Sequence, residues 1–179
     1  MRRLAFILLS MSLLAPCVIA QRTEATLSEA EIEQLRDSAY VANDRVMLFI
    51  KLIDVRIKSL EDLYAKPRRP GREQDTHDLM EQFTSLANEL SDNLEDYNPQ
   101  HRDIRKALPK LIEATERWAT AIKTPPDNDA YNVSRRIALE SIQDLRDQSN
   151  EMLPAQKAWF AAHPPPKKQS PAEVDNAPR

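Results

Sequence analysis

The apolar positions of this chain fall into four long stretches with helical spacing. The first runs from Ser28 to Lys66, with Ile32, Leu35, Ala39, Ala42, Val46, Phe49, Ile53, Leu60 and Leu63 on one seam. Steps of three and four alternate along it, and only Arg56 interrupts them. That is the pattern of a helix face packed in a bundle or coiled coil. Ser28 with Glu31 forms a capping box ahead of Ile32. The spacing predicts one continuous helix, roughly 57 Å long at 1.5 Å per residue. Val46 to Ile57 is apolar nearly all round apart from Lys51, Asp54 and Arg56, as suits a central element touched on several sides.

The basic stretch Lys66–Arg72 follows, with two prolines to stop the helix and the chain's single glycine, Gly71, to turn it. The second helix is predicted over Asp75–Tyr97, with Leu79, Phe83, Leu86, Leu90, Asn93 and Tyr97 on its seam. Asn98-Pro99 reads as an N-cap and first helical residue with almost no loop, which turns a third helix back beside the second. That helix extends to Lys123 through Ile104, Leu108, Leu111, Thr115, Trp118 and Ile122, and Pro109 inside it predicts a kink or restart. Thr124-Pro125-Pro126 ends it, and Asp127 or Asp129 is placed to cap the next. A fourth helix is predicted from Asn128 to Ala162, with Arg135, Ser149 and Gln156 interrupting its seam and Pro154 kinking it.

Together these segments predict an all-α fold, an up-down-up-down four-helix bundle whose first and fourth helices are the longer two. Their extra lengths share one end, so Trp159 and Phe160 are expected near Ile32 and Leu35. The basic Lys66–Arg72 loop and the acidic Asp127–Asp129 turn share the other.

Both termini read differently. Arg2 and Arg3 precede an apolar run from Leu4 to Leu14, and Val18 and Ala20 suit signal peptidase. Residues 1–20 are therefore expected to be a secretory signal peptide, 21–163 the helical domain, and the proline-rich residues 164–179 a disordered tail. The expected location is periplasmic or extracellular, with no transmembrane span in the mature chain. Leu14-Ala15-Pro16-Cys17 resembles a lipobox, so a lipoprotein held through Cys17 is the minor alternative. Cleavage after Ala20 leaves a mature chain without cysteine, hence without disulfides or thiol chemistry.

Composition mainly excludes. One glycine in 179 residues rules out glycine-built phosphate loops, dinucleotide fingerprints and nucleophile elbows. It also argues against folds that need many tight turns. The net charge is −3, and Arg2 and Arg3 supply two of the positive charges, so a mildly acidic mature chain is a poor binder of nucleic acid. His77, His101 and His163 all lack a glutamate three residues earlier, so the Glu-x-x-His pair of di-iron bundles is absent. There is no Cys-x-x-Cys-His for covalent haem. No cofactor, metal ligand set or catalytic pair is expected.

One constellation remains. Mirroring the helices about their connections brings Arg56 level with Glu81, Thr115 and Arg135. Two guanidiniums and a hydroxyl at one level can bind an anion or a carboxylate-bearing small molecule. In the simpler reading, Glu81 pairs with Arg56 and Arg135 reaches outward. A second polar level, Asn93 with Ser149, is expected to set register or to be hydrated. The expected function is a non-catalytic exported bundle acting through protein or envelope contacts, with small-molecule or anion binding between helices as the alternative. Partner and oligomeric state are not legible in the pattern.

Overall fold

In the computed structural model, residues 26–164 are described. The expected signal peptide, its cleavage site, Cys17 and nearly all of the expected tail lie outside them. The described chain is all-helical: α1 is Glu29–Asp37, α2 is Ala42–Ala65, α3 is Arg72–Tyr97, α4 is Leu108–Lys123 and α5 is Asn132–Ala162. A short 3-10 turn, Ser38–Tyr40, joins α1 to α2.

The expected continuous first helix is therefore corrected to two. The capping box at Ser28 and Glu31 is present and starts α1. At Val41 the backbone is extended (φ −115°, ψ 99°), and its carbonyl accepts from Asp44 and Arg45 to begin α2. Neither glycine nor proline lies at this bend. Side chains hold it instead. Arg45 Nη1 donates to the Leu35 carbonyl at 2.8 Å, and Arg102 Nη2 donates to the Tyr40 carbonyl at 2.8 Å. α1 then folds back along α2, where Glu31 meets Arg56. Leu35 is buried there and Leu27 packs against the core.

The four longer helices pack as α2 on α3, α3 on α5, α5 on α4 and α4 on α2. Direction alternates along the chain, but the neighbours are not those that short loops would give. The α3–α4 connection spans residues 98–107, and α4 crosses to lie beside α2 and α5 rather than next to α3. The expected tight Asn98-Pro99 turn is thus corrected. Pro109 occupies the first turn of α4, where its missing N–H costs nothing, so it starts a helix instead of kinking one. α5 begins at Asn132, and Pro154 lies inside it. Of the two helices expected to be long, only α5 is, at 31 residues; α2 keeps 24.

The consequence of the crossing is that α3 and α5 run parallel. Three side-chain bonds zip them in step: Ser134 Oγ with His77 Nδ1 at 2.8 Å, Ser141 Oγ to Asn88 Oδ1 at 3.0 Å, and Ser91 Oγ to Gln148 Oε1 at 3.1 Å. Phe49, Phe83, Leu86, Leu90, Leu111 and Trp118 are fully buried in the common core. Trp118 reports a polar tie across it, because its indole N–H donates to Asp54 Oδ1 at 2.7 Å.

Each end is closed by its own contacts. At one, Tyr64 on α2 bonds both Thr76 (3.0 Å) and Tyr131 (3.1 Å), and the Tyr131 hydroxyl donates to the Pro126 carbonyl at 2.6 Å. Burial pushes the Tyr131 hydroxyl up to about 12. Gly71, at φ 84°, precedes α3 there. The charged loops at this end pair internally, Arg69 with Asp75 and Asp127 with Arg135. At the other end, the expected packing of Trp159 and Phe160 on Ile32 and Leu35 is corrected. Trp159 stacks on His101 at 4.1 Å and on His163 at 4.4 Å, and the Arg105 guanidinium lies 4.2 Å from the Phe160 ring centre. The bend carries α1 down α2, where Ile32 and Leu35 line a shallow cleft with Arg45 and Glu89.

Candidate functional site

The three residues expected to share a site have separate surroundings. Arg56, buried on α2, binds the Glu31 carboxylate through both terminal nitrogens and also the Thr26 carbonyl. Its partner is Glu31 of α1, not the expected Glu81. Arg135 sits on the first turn of α5, where it binds Asp127 Oδ1 at 2.7 Å and the carbonyls of Pro125 and Pro126. Its guanidinium also lies 5.2 Å from the Tyr131 ring centre. Thr115 is fully buried on α4, and its hydroxyl donates to the Ile112 carbonyl at 2.7 Å. The two guanidiniums have no partner in common. Mirroring fails because it assumes a tight turn at Asn98-Pro99 and α4 packed beside α3, and the fold has neither.

The expected polar level of Asn93 and Ser149 holds in height, since the neighbouring Ser91 bonds Gln148, but the two side chains do not pair. Asn93 Oδ1 accepts from Arg45 and from the Tyr97 hydroxyl, which ties α2 to α3. Ser149 Oγ is fully buried and has no hydrogen-bond partner among the described residues.

Glu31 is the strongest electrostatic feature. The hydrogen bond from Arg56 holds its carboxyl at about 2, against an ordinary 4.5, with smaller help from the Ser28 N–H and hydroxyl. One side chain thus caps α1 and clamps it to α2.

The α3–α5 seam opens a surface cleft of about 370 Å³. Glu81, Thr84, Ser85 and Asn88 of α3 face Ser134 and Ile137 of α5 across it. Small polar side chains at a parallel interface leave this groove unfilled. Ile137 of the lining is 41% exposed, and Val133, one turn earlier on the same face of α5, is 60% exposed. At its head, Ser134, His77 and Glu81 lie in series, with His77 Nε2 3.3 Å from Glu81 Oε1.

A hydroxyl, an imidazole and a carboxylate in series have the order of a nucleophile, its base and an orienting acid. Burial argues otherwise. Ser134 is only 5% exposed, and its hydroxyl is the first of three similar rungs between α3 and α5. The arrangement is suited to fixing helix register, and a substrate has little of the hydroxyl to approach. Sequence reasoning missed this juxtaposition because residues 77 and 134 meet only when α3 and α5 are parallel neighbours.

A second open cleft, about 410 Å³, lies along α5 near Arg135 and Arg136. Asp127 and Glu140 balance those charges there. No group of three or more His, Cys, Asp or Glu side chains is placed to hold a metal ion among the described residues. None of the described helices is long and apolar enough to cross a membrane. Comparison with protein families, with curated proteins and with solved structures finds no match.

Proposed function

We infer that this chain is an exported, non-catalytic four-helix-bundle protein, formed by α2–α5 with α1 strapped across α2, that acts by contacting a protein or envelope partner. The supporting observation is the α3–α5 groove. Ile137 offers an apolar anchor beside hydrogen-bonding side chains of α3, and Val133, exposed one turn earlier on α5, extends that apolar face. Grooves of this kind take a partner segment through apolar anchors, with specificity from the polar rim. On this reading residues 1–20 are a cleaved signal and residues 164–179 a disordered tail. The alternative, a small molecule or anion between the helices, has less support. Arg56 and Arg135 already spend their donors on carboxylates and carbonyls of their own chain.

The test is site-specific photo-crosslinking in a secreting host, with the reactive residue at Ile137 and, as control, at exposed Lys110. A discrete adduct from position 137 alone, abolished by Val133→Ser, supports the groove. Equal adducts from both positions, or none, count against it. The native mass of the same material checks export. A start at Gln21 is expected, an acylated start at Cys17 would make the chain a lipoprotein, and added ligand mass would move the reading to the alternative.

A further inference from the structure

We propose that α1 is an exchangeable strap, and that the face of α2 it covers takes α1 from a second copy of this chain. The observation is a helix break with no breaker. Asp37–Ala42 contains neither glycine nor proline, and Leu35, Ala39, Ala42 and Val46 carry the apolar seam straight through it. Intrinsic preference permits the continuous helix, and tertiary contacts impose the bend.

Those contacts act on the atoms that a straight helix would use. A continuous helix bonds the carbonyls of Leu35, Ala39 and Tyr40 to amides four residues on. In the bent chain Leu35 accepts from Arg45 Nη1 at 2.8 Å and from Ser38 Oγ at 2.9 Å. Arg102 Nη2 donates to the Ala39 and Tyr40 carbonyls at 3.3 and 2.8 Å. Bent and straight forms are thus two ways of satisfying the same carbonyls, and Arg102, from the α3–α4 connection, biases the choice.

The docked face is reproduced in a pair. α1 runs antiparallel to α2, so a two-fold axis across the bend lays each straightened α1 on the other copy's α2. Glu31 of one copy then meets Arg56 of the other in the surroundings that α1 now occupies. Exchange of an identical element costs little, because the contacts within and between copies are the same. Glu29 to Ala65 would form one helix of about 55 Å. Tyr40 and Val41, 89% and 52% exposed at the bend, lie where the two copies meet. This surface is on α2, away from the α3–α5 groove, and does not depend on the partner reading.

Charge reversal tests it. Glu31→Arg sets two cations together and Arg56→Glu sets two carboxylates together, so each chain alone should release α1 and melt lower than wild type. Mixed in equal amounts, an exchanged heterodimer pairs Arg with Glu at one strap and Glu with Arg at the other. Native mass spectrometry should show a 1:1 heterodimer above its statistical share, and the mixture should melt above either component. The double variant Glu31→Arg/Arg56→Glu, with the pair restored within one chain, is the folding control. If single variants do not fold alone, they are refolded together and read in the same way. A mixture that stays as separate chains, or melts no higher than its components while the control is restored, overturns the proposal.

Discussion

The Arg56 guanidinium grips the Glu31 carboxylate across the α1–α2 interface, and both side chains are largely shielded from solvent. The pair spans 25 residues of sequence. It couples a helix cap to a tertiary contact, because the same carboxylate receives the Ser28 N–H at 2.8 Å. Shielded pairs of this kind are costly to half-remove, since the remaining charge has no partner.

The pair makes α1 sensitive to acid. Glu31 is held at about 2 in the folded chain, chiefly by the Arg56 hydrogen bond, against an ordinary value of 4.5. A carboxyl with a depressed value binds protons less readily in the folded state. Its contribution is whole above about pH 4.5 and is lost progressively as the pH falls towards 2. Protection of the Glu29–Asp37 amides, relative to their intrinsic exchange at each pH, should therefore fall across that window before the α2–α5 core opens. In Glu31→Gln this loss of protection with acid should be much smaller, and α1 should be less protected at neutral pH. Protection that stays constant with pH in the wild type would contradict the assignment.

Phe49 sits on α2 at the centre of the core with no exposed surface. Phe49→Ala removes a ring from a site that cannot collapse around the gap, which costs ~3–5 kcal/mol. Urea unfolding followed by Trp118 fluorescence reads this directly. An unchanged midpoint would contradict the central placement of α2.

The seams that bury Phe49, Phe83 and Trp118 were legible because each residue repeats at helical spacing within its own segment. The bend at Ser38–Val41 was not legible. Its determinants, Arg45 and Arg102, act from outside the break, and the local sequence reads as helix throughout. Pro109 carried a correct signal for the start of α4, but Asn98-Pro99 upstream offered a competing one. The candidate Arg56–Thr115–Arg135 level depended on a tight Asn98-Pro99 turn and on neighbour order. The structure gives Glu31 to Arg56 and Asp127 to Arg135. The Ser134–His77 contact required a parallel α3–α5 pair, which no loop length announced.

Ser149 is a buried hydroxyl on α5 without a hydrogen-bond partner among the described residues. An unpaired buried polar group costs about 1–3 kcal/mol, and alanine also has the better helix propensity. Ser149→Ala should therefore raise stability by about 1 kcal/mol in denaturant unfolding. A loss of stability would show that the hydroxyl is engaged after all.

Gln156 marks the point where a seam interruption became a structural joint. It is 4% exposed on α5, and both ends of its amide bind the α3–α4 connection. Its Oε1 accepts the buried Ile104 N–H at 3.1 Å, and its Nε2 donates to the Arg102 carbonyl at 2.9 Å. The joint fixes the backbone of Arg102, whose side chain in turn holds the Tyr40 carbonyl at the α1–α2 bend. Gln156→Met keeps the length and apolar body of the side chain but strands one donor and one acceptor. Two such losses should cost ~2–4 kcal/mol. Because the Ile104 amide loses the acceptor that Gln156 supplies, its hydrogen exchange should accelerate more than that of amides in the middle of α3. A loss below about 1 kcal/mol, with Ile104 still protected, would mean that apolar packing alone seats the connection and that the bend does not depend on α5.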